Sequence, residues 1–413
     1  MVLRFFGTDA EHYTVVFTSG ATAALRLVGE AYRFRAGAQY VYLRNNHNSV
    51  VGVREYALAR GANFSALSPD DLDALAAAHA RDGVLRGPFA AAAAAAAAAS
   101  GASGGATAAD PMVSLLAVPA QDNFDGTKYG YARWVALADA ASRASDTSKW
   151  RVLLDAAALV GTSALNLTRA APDYVALSFY KMVGWPTGLG ALLVRNDAFL
   201  DLQPRYWGGG QVRVALAEQH YRLPAPRDAM LYEAGTLDFH GVAALAHALP
   251  RLAQLGMPRV QHHVRALTRR LHAALAALRH ANGRPVCTLY GRGHTAAPET
   301  VDGDAQGGVV ALNVRRADGR FVAHADVLRA ARARHISVRT GCMCNPGACF
   351  AAVGLAPADV AAFARAHPHT DWDGDVVVRG TPVGAVRVSL GYPTTVADVD
   401  AFVAFIRDTY TDS

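Results

Sequence analysis

Tyr13-Thr-Val-Val-Phe-Thr-Ser-Gly-Ala-Thr22 begins as an apolar, β-rich run and turns at Ser19-Gly20 into an Ala/Leu-rich pattern that continues to about Tyr32. This is a strand–turn–helix step, and its recurrence decides the fold class. Further β-rich runs lie at residues 40–43, 112–118, 152–155, 174–179 and 189–194, several of them separated by helical stretches such as residues 129–144. Strands alternating with helices predict an α/β fold on a mostly parallel central sheet flanked by helices. A long helical pattern over residues 241–278 breaks near Gly256-Met257-Pro258. It leads to strands at 286–290, 308–314 and 383–390 and to helices around 325–334 and 396–409. The expected division is a large domain over residues 1–255 and a smaller C-terminal α+β domain over 256–413. The ten alanines of residues 90–99 and the Ser/Gly/Ala-rich stretch after them read as a low-complexity surface insertion over about 88–110. It is expected to be helical over the alanines and without side-chain volume to fill a core.

Composition narrows the function. With 413 residues, 52% hydrophobic and 18% charged, the chain can bury an ample core. Only three of its 40 basic residues are lysines, and its arginines are scattered rather than blocked, so the net charge of +6 is a compositional bias and no nucleic-acid role is expected. No apolar run reaches the roughly 18 to 20 residues that span a bilayer, and no signal-peptide pattern opens the chain. A cytoplasmic protein with no membrane role is expected. Four cysteines are too few for a disulfide scaffold, yet Cys342, Cys344 and Cys349 cluster within eight residues.

A chain that uses arginine for positive charge can keep lysine where arginine cannot serve, and imine chemistry is such a task, because guanidinium does not release its proton. Lys128 at a helix start and Lys149 in a polar loop look like surface residues. Lys181 follows the strand-like Tyr174-Val-Ala-Leu-Ser-Phe-Tyr180 and precedes a Gly/Pro loop, at a strand's carboxyl end, where α/β folds bind ligands. Asp155 ends a second strand, Trp150-Arg-Val-Leu-Leu-Asp155. A lysine for an aldehyde, an acid for a ring nitrogen and a helix N-terminus after Thr18-Ser-Gly-Ala-Thr22 for a phosphate together suggest pyridoxal 5'-phosphate.

These segments carry a resemblance. Phe17-Thr-Ser-Gly-Ala-Thr22, Leu154-Asp-Ala-Ala-Ala158, Ser178-Phe-Tyr-Lys181 and Glu233-Ala-Gly-Thr236 resemble, in order and spacing, the motifs of cysteine desulfurases in the fold-type I, class V aminotransferase superfamily. Asn46-His-Asn-Ser49, Tyr180-Lys-Met-Val-Gly-Trp-Pro-Thr-Gly-Leu-Gly190, Gly208-Gly-Gly210 and Arg339-Thr-Gly-Cys-Met-Cys-Asn-Pro-Gly-Ala-Cys349 are similar to the N-terminal domain of the molybdenum cofactor sulfurase family. The resemblance implies that Lys181 holds the pyridoxal phosphate aldehyde, Asp155 pairs with its ring nitrogen and His47 stacks on the ring. It further implies that Ala21, Thr22, Ser178 and Tyr180 hold the phosphate and that Asn123 lies near the phenolic oxygen. Thr236 would reach the phosphate of a neighbouring subunit, which implies a homodimer. Arg387 would grip the carboxylate of the substrate, L-cysteine.

The cysteine cluster lacks the usual C-x2-C metal spacing and sits in a Gly/Asn/Pro-rich run, so a mobile nucleophile fits better than a metal site or a buried structural role for all three. The resemblance places the persulfide-forming thiol at Cys344, with the molybdenum cofactor as sulfur acceptor. Cys287 lies in a strand-like run and is expected in the core. A general cysteine desulfurase for iron–sulfur or thiolation pathways, or an inactive fragment, are the alternatives. Two departures are expected to matter: the leading segment of the desulfurase fold and the sulfurases' C-terminal cofactor-binding domain are both absent, as in an incomplete gene model. Ala158 also stands where many bacterial desulfurases have a glutamine.

Overall fold

The computed structural model describes residues 1–101, 110–184, 187–291, 305–372, 374 and 376–412. Residues 102–109 of the expected insertion and Trp185-Pro186 of the 180–190 motif lie outside them. The chain forms two compact units. Met1–Arg44, Asn48–Ala120 and Gly130–Gly256 make the first, and Asn45–His47, Gln121–Tyr129 and Met257–Ser413 make the second.

In the first unit, β1 (Tyr13–Thr18), β2 (Gln39–Leu43), β3 (Asn63–Leu67), β4 (Met112–Pro119), β5 (Ser148–Asp155), β6 (Tyr174–Ser178) and β7 (Gly190–Arg195) form one sheet of order β1-β7-β6-β5-β4-β2-β3. Strands β6, β5, β4, β2 and β3 run parallel, and β7 is antiparallel to both of its neighbours. Every residue of β2, β4 and β6 is buried, as befits strands covered on both faces. The helices are α1 (Val2–Phe5), α2 (Ala21–Ala31), α3 (Asn48–Val51), α4 (Val53–Leu58), α5 (Pro69–Asp82), α6 (Pro88–Gly101), α7 (Ala132–Arg143), α8 (Tyr180–Val183) and α9 (Phe239–Leu255). A separate ribbon, β8 (Val212–Ala215) with β9 (Arg222–Pro224), is largely exposed.

The alanine run departs from expectation. Its helix, α6, buries Phe89, Ala92 and Ala96, which share one face at spacings of three and four, and Phe89 lies 4.5 Å from the Trp150 ring. Small side chains let the helix backbone come close to the sheet, so the segment packs as part of the core rather than standing on the surface. Lys149 also differs from a loop lysine: it lies in β5 and pairs with Asp201 at 3.4 Å. Lys128 is half-buried in an isolated bridge with Gln121 rather than at a helix start.

The second unit is built on an antiparallel sheet of order β10-β11-β15-β12, with β10 (Cys287–Tyr290), β11 (Val309–Val314), β12 (Arg339–Gly341) and β15 (Ala385–Ser389). A two-residue ribbon, β13 (Val377–Val378) and β14 (Thr381–Pro382), precedes β15. Helices α10 (Met257–Ala277), α11 (His324–Ala333), α12 (Pro346–Val353), α13 (Pro357–Ala366) and α14 (Val396–Tyr410) complete it. No single described helix is long and apolar enough to cross a membrane.

A cluster of paired charges lies inside the first unit. Arg151 on β5 is fully buried and donates to Asp173 at 2.6 Å, Asp201 at 2.6 Å and Asp197 at 2.8 Å. Burial opposes ionisation of Asp197, but hydrogen bonds from Arg195 and Arg151 outweigh it and hold its carboxyl at about 2. Removing the guanidinium strands buried carboxylates, so Arg151→Met is expected to lose about 3–5 kcal/mol in urea denaturation. The stability that Asp197 contributes is present above 3.8 and is lost as the pH falls toward about 2. The stability gap between wild type and Asp197→Asn should therefore close over that window; a constant gap would refute the linkage.

Candidate active site

The first unit gathers one group of the expected residues where β1, β6 and β7 meet. Thr18 and Ser178 both pair with Gly190 across the sheet. A Cβ on Gly190 would come within 2.5 Å of the Gly20 Cα and the Leu177 carbonyl, so only glycine allows the two backbones to touch. Gly20, at φ 138°, starts α2 with no side-chain cap, and no acidic residue occupies the helix's first turn. The Ala21 amide donates to Ser178 Oγ at 2.8 Å, and the Thr22 and Ser49 hydroxyls lie 2.8 Å apart. A helix N-terminus that its own N-cap residue leaves without a side-chain acceptor, with hydroxyls beside it, suits a phosphate. Ser49 is a member that sequence reasoning quoted in a motif but left without a role.

Asp155 ends β5, buried, and its Oδ1 accepts from the Ala157 amide at 3.0 Å while Oδ2 accepts no hydrogen bond among the described residues. Lys181 is exposed on α8, one turn beyond β6. Its carbonyl would lie 2.3 Å from a Cβ on Gly161, a close approach that no sequence signal marked. Tyr180 is 40% exposed. Thr236 is exposed, in the segment where Glu233 Oε1 accepts from the Phe17 amide at 2.7 Å; burial pushes the Glu233 carboxyl upward. An amine, a carboxylate with an oxygen to spare and an anion-ready helix start, all at the carboxyl ends of β5 and β6 or beside them, fit pyridoxal phosphate.

The second unit holds the other group. Cys342 and Cys349 form a disulfide, which leaves Cys344 as the exposed thiol of the cluster. Sequence reasoning did not foresee that pairing. Cys287 is buried in β10, where desolvation pushes its thiol up to about 12, so it is no nucleophile. Met343 and Cys344 both take φ 57°, a left-handed conformation that costs non-glycine residues roughly 1–2 kcal/mol each. The loop is held in spite of that: Met343 is buried, and its carbonyl accepts from Asn123 Nδ2 at 2.7 Å. Arg339 Nη2 lies 3.9 Å from Cys344 Sγ. Arg339 stands directly opposite Arg387 in the sheet, and Arg387 Nη1 donates to the Asn123 carbonyl at 2.8 Å. His47 is half-buried in the 45–47 segment. Asp122, next to Asn123, is fully buried; desolvation and neighbouring Asp125 push its carboxyl well up, against donors that include the Phe124 amide, Asn45 and Tyr129.

Residues 107–402 match the family described as aminotransferase class-V. The chain is similar to the molybdenum cofactor sulfurase of Anopheles gambiae, at 40% identity over 99% of this chain and 50% of the relative, and to that of Bos taurus, at 38% over 98% and 44%. It thus spans about half the length of the curated relatives it matches. Among solved structures, a cysteine desulfurase from Thermococcus onnurineus superposes with TM-score 0.68 at 21% identity, covering 98% of this chain and 81% of that one. The cystine C–S lyase C-DES, in complex with its product cysteine persulfide, gives TM-score 0.66 at 17% identity, covering 99% and 84%. At these identities the likeness establishes the fold.

The Gly20–Gly190 contact is open to a direct check. Gly190→Val should lower the melting temperature by several degrees and weaken pyridoxal phosphate binding at least tenfold, because the added side chain forces the α2 start away from Ser178. Unchanged affinity in a folded variant would show that the contact does not shape the site.

Proposed function

The chain belongs to the aminotransferase class-V family, and on that premise we propose that it is a pyridoxal-phosphate-dependent cysteine desulfurase module of the molybdenum cofactor sulfurase kind. It takes sulfur from L-cysteine, holds it as a persulfide on Cys344 and passes it to the molybdenum cofactor. The observation that carries this reading is the state of the cysteine cluster: two thiols are tied to each other, and the third is exposed beside a guanidinium. The names of the similar proteins agree with it.

When bound, pyridoxal phosphate supplies an aldehyde that joins to amines and a conjugated ring that draws electrons from the bonds of the attached amino acid. Lys181 would hold the aldehyde through its amine and, as a free amine, would move the proton at the substrate α carbon. Asp155 keeps the ring nitrogen protonated, and His47 covers a ring face. Ala21, Thr22 and Ser178, with Ser49 and Tyr180, hold the phosphate. Asn123 uses one amide hydrogen on the Met343 carbonyl and keeps the second for the phenolic oxygen. The Arg387 fork binds the substrate carboxylate. The Cys344 thiolate then attacks the substrate sulfur: a sulfur–sulfur bond forms, the carbon–sulfur bond breaks, and the freed carbon takes a proton to leave L-alanine.

A homodimer is also part of it. Tyr206, Trp207, Leu216, Tyr221 and Phe239 are exposed large apolar residues close in sequence to Thr236, an unusual concentration for a surface meant only for water. Sedimentation of the loaded protein should give a dimer, and Trp207→Glu with Tyr221→Glu should shift it toward monomer; a wild-type monomer at micromolar concentration would overturn this.

Lys181→Ala should abolish the visible absorption of the bound cofactor. Cys344→Ser should keep that absorption and lose cysteine-dependent persulfide by mass spectrometry, whereas Cys342→Ser should still form it. Persulfide formation that survives in Cys344→Ser would sink the assignment of the sulfur carrier. Offering the persulfide-bearing protein molybdenum cofactor and an iron–sulfur scaffold in parallel tests the acceptor.

A further inference from the structure

The residue that follows Cys344 does more than start a helix. Asn345 is fully buried. Its Oδ1 accepts from the Ala348 amide at 3.2 Å, which caps α12. Its Nδ2 faces three acceptors: Asp122 Oδ1 and Asn123 Oδ1, each at 3.0 Å, and the Asn45 carbonyl at 3.3 Å. Asp122 Oδ1 also accepts from the Phe124 amide at 2.7 Å, and Asp122 Oδ2 accepts from Asn45 Nδ2 at 3.3 Å and Tyr129 Oη at 3.2 Å. The carboxyl is thus bonded at both oxygens, to Phe124 and Tyr129 of its own segment and to Asn45, and makes a rigid acceptor. Asn123 closes the loop by donating to the Met343 carbonyl at 2.7 Å. The two residues held between these contacts, Met343 and Cys344, are the two in left-handed conformation. A cap alone needs an acceptor and no donor; the amide donor is what ties the loop to residues 45 and 121–129.

We propose that Asp122 and Asn345 are positioning residues for Cys344: the Asn345 amide, anchored on Asp122 and Asn123, keeps the Met343–Cys344 pair in its left-handed turn and so presents the thiol. The proposal deepens the desulfurase reading and rests on it. Neither residue touches the substrate. Both act through the backbone that carries the nucleophile, where a displacement of about 1 Å can cost on the order of a hundredfold in rate.

The test uses the full chain loaded with pyridoxal phosphate. Asn345→Ser keeps an N-cap acceptor for α12 but cannot reach Asp122; Asp122→Ala removes the anchor; Asp122→Asn keeps an oxygen for Asn345 and Phe124. Alanine release from L-cysteine should show kcat lowered at least tenfold in Asn345→Ser and Asp122→Ala with KM within twofold, and kcat within threefold of wild type in Asp122→Asn. Hydrogen exchange over residues 341–345 should quicken at least tenfold in the first two variants, while α12 keeps its protection. Wild-type kcat in Asn345→Ser, or faster exchange confined to α12, would reduce Asn345 to a cap and overturn the proposal, as would Asp122→Asn failing as badly as Asp122→Ala. Should Asp122→Ala not fold, Asn345→Ser decides alone. If the wild type forms no Cys344 persulfide from L-cysteine, the desulfurase reading fails, while the exchange measurement still judges the latch.

Discussion

Two glycines that touch set the geometry of the first unit. Because Gly190 carries no Cβ and Gly20 can adopt a φ of 138°, the turn after β1 can lie against the first residue of β7, and β7 in turn is bonded to β6. That contact brings the start of α2 to the Ser178 hydroxyl and lines up three chain segments distant in sequence at one edge of the sheet. A methyl group on Gly190 would meet the Gly20 Cα and the Leu177 carbonyl at 2.5 Å and force the helix start away, whereas at Gly20 it is the backbone φ of 138° that disfavours any side chain. The remaining members of this group follow from parallel strand pairing, which places Asp155 beside Ala176, two residues before Ser178.

Much of the large unit was legible because its signals are local. Strands of consecutive apolar residues, the Gly20 turn and the lysine at a strand end are all properties of short windows, and the resemblance fixed their order. The parts that escaped have physical reasons. Strand β3, Asn-Phe-Ser-Ala-Leu, lies at the sheet edge with its residues exposed or half-buried, so it lacks the apolar run that marked the others. Strand β12 is three residues long and contains a glycine. Helix α5 carried a signal that the sequence reading passed over, the Ser68 to Asp71 capping box, and its many small and charged residues hid the face it buries.

The site was legible in its residue types and not in its partners. Lys181 and Cys344 stand out because lysine and cysteine are rare in this composition, and Asp155 because it ends an apolar strand. Gly161 and Asn345 matter through contacts with residues 20 and 223 positions away, Lys181 and Asp122 respectively, and no local pattern encodes such a meeting. The cysteine spacing left the same gap. Cys-x-Cys-x4-Cys lacks the usual metal spacing, yet it does not say which two sulfurs meet; the fold does, with Cys342 before α12 joined to Cys349 within it.

The alanine helix has a property of its own that its burial pattern brings out. Ten identical residues carry no phase: shifting the helix by one position exchanges alanine for alanine at every contact along the run. The rotation of α6 on the sheet is therefore decided at its first turn, where Phe89 meets Trp150. Changes in the number of alanines alter how far the helix reaches and leave its docking angle untouched. A segment of this kind can drift in length over generations without disturbing the strands beneath it, provided the aromatic at its head stays in place.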